Sequence, residues 1–195
     1  MINSFSIMKS YIKQDLVMQQ QQSLWKAFIF NPISRFTILL RLNELLYNKD
    51  YGLLMRGIPY LWFRRLSIRL GFSIPVNVFR EGLVIVHYGL IVVSGDARIG
   101  VNCRIHAGVN IGARAGFKKP DDDSSHAPTI GNNCYIGPGA KLFGCIKIGN
   151  NCVIGANAVV NRSFDEDDLT IGGVPARIIA NSGSSGMIYY AKKEY

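Results

Sequence analysis

From Ile130 to Val159 the chain reads Ile-Gly-Asn-Asn-Cys-Tyr, Ile-Gly-Pro-Gly-Ala-Lys, Leu-Phe-Gly-Cys-Ile-Lys, Ile-Gly-Asn-Asn-Cys-Val and Ile-Gly-Ala-Asn-Ala-Val. Each six-residue unit opens on an aliphatic side chain, and Val160 opens a sixth. The same spacing holds earlier, at Val93, Ile99, Ile105 and Ile111. A second series runs four positions behind the first, through Ala97, Cys103, Val109, Cys134, Ala140, Ile146, Cys152 and Ala158, and is mostly small. One large and one small apolar slot per six residues builds flat parallel strands that stack coil on coil around an apolar axis. Glycine follows the aliphatic residue at 100, 112, 131, 137, 149 and 155, where a tight turn of chain leaves no room for a side chain. Cys103, Cys134 and Cys152 fill small slots and read as compact buried hydrophobes, while Cys145 stands off the register. No C-x-x-C pair is present.

The register breaks once. Ile111 and Ile130 are 19 residues apart where the repeat would give 6, so roughly residues 113–128 leave the coil as a loop carrying Arg114, Lys118, Lys119, Asp121, Asp122, Asp123 and His126. Insertions in repeat proteins gather on functional faces, which makes this loop a candidate site.

Outside the repeats the texture differs. Residues 1–24 are polar, with the run Gln19 to Gln22, and read as a short helix and a flexible connection. Apolar residues at three- and four-residue spacing from Leu24 to Tyr47 predict amphipathic helices broken at Asn31-Pro32. From Tyr51 to Phe72, Leu54, Leu61, Trp62, Leu66 and Ile68 alternate with Arg56, Arg64, Arg65 and Arg69. Such a helix either packs on a neighbouring domain or subunit with its arginines solvated, or lies on an anionic membrane. The expected organisation is a basic helical region over 1–72, a repeat domain over 73–180 and a C-terminal tail over 181–195 that reads as a flexible segment able to dock elsewhere.

The 195 residues are 48% hydrophobic and 18% charged, which argues against wholesale disorder. Net charge is +9, and the first 80 residues hold 11 basic against 3 acidic side chains, the remainder 11 against 10. A basic module beside a nearly neutral one suits an anionic partner. No signal-peptide pattern or membrane-length apolar run occurs, so a cytoplasmic protein is expected, with contact at the inner face of a membrane left open.

The six-residue series, His87 within Val86-His87-Tyr88-Gly89, His126 shortly before Thr129-Ile130-Gly131, and Gly172-Gly173-Val174-Pro175-Ala176-Arg177 together resemble the serine acetyltransferase family, and especially its capsular and exopolysaccharide O-acetyltransferase relatives. The resemblance covers residues 74–180 well and the helical region loosely. It implies a left-handed parallel β-helix, a homotrimer, and acetyl-CoA held between neighbouring β-helices. Gly172, Gly173, Ala176, Arg177, Lys118 and Lys119 would then meet the coenzyme, and His87 would be the general base with His126 assisting. Histidine suits that task because its ordinary pKa of about 6.5 lets it take a proton near neutral pH.

The chain departs from that pattern in three places. An aspartate expected about fifteen residues before the base is replaced by Phe72-Ser73-Ile74, leaving Ser73 or Asn77 as weak substitutes. The acid expected directly before the base is Val86, and the arginine expected before the second histidine is Ser125. Both charged handles for a free amino acid are therefore missing, and a neutral acceptor such as a sugar hydroxyl fits the residues better than serine. Val86, Tyr88, Ser125 and His106 are the expected acceptor-lining positions.

Stepping six residues back from Val93 lands on His87, which a regular coil would turn inward as a structural histidine. Tyr88 and Gly89 break the pattern, so an irregular coil is expected there. Serine acetylation stays open, as does a non-catalytic trimeric scaffold that binds membrane or polymer through its basic helices. Spacings of 19 and 20 between His87, His106 and His126 do not give two closely spaced ligands, so no metal is expected. Nothing beyond charge suggests nucleic acid.

Overall fold

In the computed structural model, which describes residues 1–114 and 126–188, four helices lead into a three-faced parallel β-helix. The helices are α1 (Phe5–Met18), α2 (Leu24–Phe30), α3 (Pro32–Asn48) and α4 (Leu53–Leu70). Fourteen short strands follow. Face A stacks β1 (Phe72–Ser73), β3 (Ile91–Val93), β6 (Asn110–Gly112), β9 (Lys141–Phe143) and β12 (Val159–Val160). Face B stacks β4 (Arg98–Ile99), β7 (Thr129–Ile130) and β10 (Lys147–Ile148). Face C stacks β2 (Val84–Ile85), β5 (Arg104–Ile105), β8 (Tyr135–Ile136), β11 (Val153–Ile154) and β13 (Thr170–Gly172), and is closed by the antiparallel β14 (Arg177–Ala180).

Register follows the large slots. Ile85, Ile105, Ile136, Ile154 and Ile171 align along face C, and Val93, Ile111, Leu142 and Val160 along face A. All are buried, as are Cys103, Cys134 and Cys152 in the small slots, whereas Cys145 is exposed. Burying each aliphatic side chain contributes about 1.5–3 kcal/mol, so a slip of register would turn the whole set out of the axis. The glycines act by close approach: a Cβ on Gly131 would stand 2.5 Å from the carbonyl oxygen of Gly149 in the next coil. One edge turns on residues with positive φ, Asn102, Asn133 and Asn151, whose side-chain amides form a ladder at 3.0 Å per step. Asparagine tolerates that backbone region and its amide is both donor and acceptor.

The reading of residues 1–24 as a flexible connection is corrected. Met8, Tyr11, Ile12 and Leu16 of α1 are buried with Ala27 and Leu45, and Gln14 donates to Asn102 at the end of the asparagine ladder. Gln19 donates to the Thr37 hydroxyl and the Leu83 carbonyl and accepts from Ser34. The break at Asn31-Pro32 is a helix cap, the Asn31 side chain accepting from the amides of Ile33 and Ser34.

Arg41 of α3 is wholly buried and uses all five of its N–H groups. Nε and Nη2 meet the Asp15 carboxylate at 2.8 and 3.3 Å, Nη1 meets Glu44 at 3.0 Å, and the Phe79 and Arg80 carbonyls accept at 2.9 and 2.8 Å. Asp15 also accepts from the Gly82 and Leu83 amides, and Glu44 from the Asn77 amide. The two carboxylates and one guanidinium therefore tie α1 and α3 to the first coil of the β-helix.

Residues 181–188 of the tail fold back, the docking that its reading as a flexible segment left open. Ser184 is buried, its amide donating to the Asn151 carbonyl at 2.8 Å and its hydroxyl to that of Asn133. Ile188 is buried with Met18 and Val84 on the outside of face C. Apolar side chains on that outer surface supply what the tail covers.

Candidate active site

Three edges run along the prism, and His87 and His126 lie where the six-residue rhythm fails. From Ile85 to Val93 the chain spends eight residues, where the coil above spends six from Ile105 to Ile111. The two extra residues enlarge the corner at His87, Tyr88 and Gly89. Ile85 takes the inward slot, and His87 projects from the C/A edge as an exposed side chain, so the irregular coil expected there is found. The corner is pinned from below. Gly89 donates to the Leu70 carbonyl at 3.1 Å, and Gly71, in the left-handed region at φ 79°, lies where a Cβ would meet the Gly89 carbonyl carbon at 3.1 Å.

One coil along the same edge stands His106, directly after the inward Ile105. Its ring lies 6.0 Å from that of His87, edge to face, and 4.9 Å from the ring of Tyr135 on β8. Burial, helped by the neighbouring Arg104 and His87, lowers its pKa to about 4, so it is neutral at physiological pH. Its Nε2 is buried and has no hydrogen-bond partner among the described residues. Behind this row, Val86 and Tyr135 pack on Met18, Val84 and Ile188. Val86 is thus part of an apolar cluster, and Tyr88 is exposed.

No carboxylate supports His87 among the described residues. Phe72 and Ile74 are buried, Phe72 against Phe36, and Asn77 is bonded to Asn48 and Glu44. Asn77 is therefore engaged elsewhere, and Ser73 is exposed on β1.

His126 stands at the A/B edge, between β6 and β7, where its carbonyl accepts from the Arg114 amide at 2.7 Å and closes the base of the loop. His87 and His126 are consequently on different edges of one chain. Lys118, Lys119 and Ser125 lie outside the described residues. A groove at the A/B edge is lined by Arg114, Phe143, Cys145 and Arg162. Arg162, which stacks on Phe164 at 5.0 Å, was not singled out by sequence because its unit, after Val160, has no successor to set its register.

Gly172, Gly173, Ala176 and Arg177 form the turn that ends face C. Gly173 accepts from the Val159 amide and Ala176 donates to the Val159 carbonyl, which carries the turn across the C/A edge onto face A, with Arg177 exposed. This is the edge of His87 and His106, four strands further on, or about 19 Å at ~4.8 Å per step.

Residues 127–162 match the model of the bacterial transferase hexapeptide, six repeats. A serine acetyltransferase of Brucella abortus strain S19, solved with coenzyme A, superposes on 91% of this chain at 25% identity and a TM-score of 0.70, the match covering 68% of that protein. The chain has the serine acetyltransferase fold. The fold class expected from the repeats, a helical region followed by a hexapeptide β-helix, is the one found. By sequence, the chain is 37% identical over 103 residues to a serine acetyltransferase of Synechococcus elongatus, which is 53% of this chain and 40% of that protein. It is 28% identical over 150 residues to one of Helicobacter pylori, 76% of this chain and 82% of the relative. These relatives and structures carry the name of serine acetyltransferase, and none of them is a capsular or exopolysaccharide enzyme.

Proposed function

We propose that this protein is an acetyl-CoA-dependent O-acetyltransferase whose reaction centre is the His87 corner of the C/A edge. The observation that carries the reading is the alignment of an exposed His87, a neutral His106 and the turn from Gly172 to Arg177 along one edge. That spacing suits an extended coenzyme with its thioester near the histidines and its phosphates toward the exposed Arg177. The coenzyme supplies an activated acyl group. His87 takes the proton of the acceptor hydroxyl as its oxygen attacks, and returns it to the departing thiolate. The unpartnered Nε2 of His106 lies one coil away, where an acceptor hydroxyl reaching the edge would find a neutral imidazole. Backbone amides of the corner are the available donors for the oxyanion.

His126, at the A/B edge, can assist only if a second copy brings that edge against the C/A edge, which is the reason to propose a homotrimer with the site between subunits. Lys118, Lys119, Arg114 and Arg162 would then add positive charge from the neighbouring chain.

The likeness to serine acetyltransferases favours L-serine as the acceptor. A second reading, a sugar hydroxyl of a capsular, exopolysaccharide or other glycan precursor, is favoured by Val86. Its side chain packs with Met18, Val84 and Ile188 where an acid for an amino group would be needed. Thiol release from acetyl-CoA by the purified protein, with L-serine or with a panel of sugars and glycan precursors, separates the two. His87→Ala should lower either rate by about 10²–10⁴-fold with the oligomer intact. A variant at near-normal rate would remove His87 from the reaction.

A further inference from the structure

The helix α4 is apolar on both sides. Phe63 and Leu70 are buried toward α3 and β1, yet Leu54 is 92% exposed, Ile58 71%, Leu61 64%, Trp62 61% and Ile68 71%. A helix that exposes large apolar side chains opposite its buried ones calls for cover on its outer side, and a patch of this extent marks an interaction surface. The neighbouring α2 also exposes Trp25 at 68% and Phe30 at 77%. Between the two helices lies a groove of about 480 Å³, floored by Phe28, Leu39, Trp62 and Leu66 and rimmed by Arg35, Arg65 and Arg69.

The charge around the patch selects its partner. All three acidic side chains of the first 80 residues are occupied: Asp15 and Glu44 are buried on Arg41, and Asp50 meets Arg56 at 3.3 Å. α4 carries four arginines and no acid, and among the described residues Arg64, Arg65 and Arg69 have no carboxylate partner. A second copy docked symmetrically through this face would set arginine against arginine. No helix among the described residues is long and apolar enough to cross a membrane, so the surface would lie on a bilayer rather than span it.

We infer that the outer face of α4, with the adjoining α2, docks on an anionic phospholipid membrane, its apolar side chains entering the interface and Arg64, Arg65 and Arg69 meeting lipid phosphates. The groove beside Trp62 is open to an acyl chain, with Arg65 and Arg69 at its mouth.

The test is flotation of the full-length protein with vesicles of phosphatidylcholine alone or mixed 3:1 with phosphatidylglycerol. Binding is expected only to the anionic vesicles and should weaken in high salt. Each arginine near such a surface is worth roughly fivefold in affinity, so Arg65→Gln with Arg69→Gln should weaken binding about 25-fold. Thiol release in solution should be unchanged, which shows that this double variant folds. In a second measurement, Trp25→Phe leaves Trp62 as the single tryptophan, and its emission should shift to the blue on anionic vesicles. Absence of flotation, equal binding to both vesicle types, or a double variant that binds as well as the wild type would each overturn the inference. So would Trp62→Glu lowering the oligomer mass in vesicle-free solution, because the face would then be a contact between copies.

Discussion

Replacing Arg41 by alanine should leave two carboxylates, Asp15 and Glu44, facing each other in the interior without their cation. It would also strip the Phe79 and Arg80 carbonyls of their donors. Breaking a buried ion pair by removing one partner costs about 3–5 kcal/mol, because the remaining charge stays desolvated. At roughly 2–4 °C per kcal/mol for a chain of this size, the melting temperature should fall by about 6–20 °C at fixed protomer concentration. Arg41→Lys keeps the charge, but its compact ammonium has three N–H groups and cannot fork to Asp15 while reaching both carbonyls, so an intermediate loss is expected. Differential scanning calorimetry or urea unfolding measures both. A change under about 1 kcal/mol for Arg41→Ala would mean that water reaches these charges and that the triad does not fasten the helices to the first coil.

His106→Phe preserves the ring that packs on Tyr135 and removes both nitrogens. Steady-state kinetics should show a higher KM for the acceptor, by about 5- to 30-fold for one lost hydrogen bond, and an unchanged KM for acetyl-CoA. Equal effects on both constants would count against the role. His106 also carries a proton in the unfolded chain below pH 6.5 and in the native protein only below about 4, so the unfolded state binds more protons in that window. Its contribution is therefore present above pH 6.5 and is lost as pH falls toward 4. Unfolding titrations of the wild type and of His106→Phe should show a shallower acid slope in the variant. Gly71→Ala must hold a Cβ at φ 79° against Gly89, which costs about 1–2 kcal/mol in backbone conformation. It should lower turnover more than it lowers stability, since the Gly89 corner carries His87.

The repeat domain was legible because its signal is redundant: an error at one slot leaves the others in phase, and each inward position recurs as an aliphatic. The helices were harder. In α1 the buried set Met8, Tyr11, Ile12 and Leu16 is interleaved with Lys9, Lys13, Gln14 and Asp15, so the apolar stripe is thin. Much of its attachment is polar, through Asp15, Gln14 and Gln19. No hydropathy pattern announces that Arg41 will be buried, because apart from Glu44 in the same helix its partners lie 26 residues back and some 39 forward in the chain. His87 and His126 were singled out by the resemblance of their surroundings to the serine acetyltransferase family. Their separation onto two edges was not, since it depends on which face each strand joins after the loop.

The site is tied to irregularity for a reason that the repeat itself imposes. Every regular coil commits its large and small slots to the axis and its glycines to the close approach of coils, so the residue six positions before an inward aliphatic is not free to face outward in a regular coil. The first coil gains that freedom by spending two extra residues at His87, and the added length has to be fixed or the imidazole would wander. Hydrogen bonding of Gly89 to the last turn of α4, and the contact with Gly71, do the fixing from one side. Arg41, Asp15 and Glu44 hold the base of the same coil from another. No carboxylate among the described residues supplies that orientation directly, and Phe72, which stands in the sequence where the resemblance led to an aspartate, is a ring packed on Phe36. With His87 as the proposed base, its orientation rests on the packing of the helical region, which predicts that substitutions of buried residues such as Phe36 in α3 and Phe63 in α4 reduce turnover as well as stability.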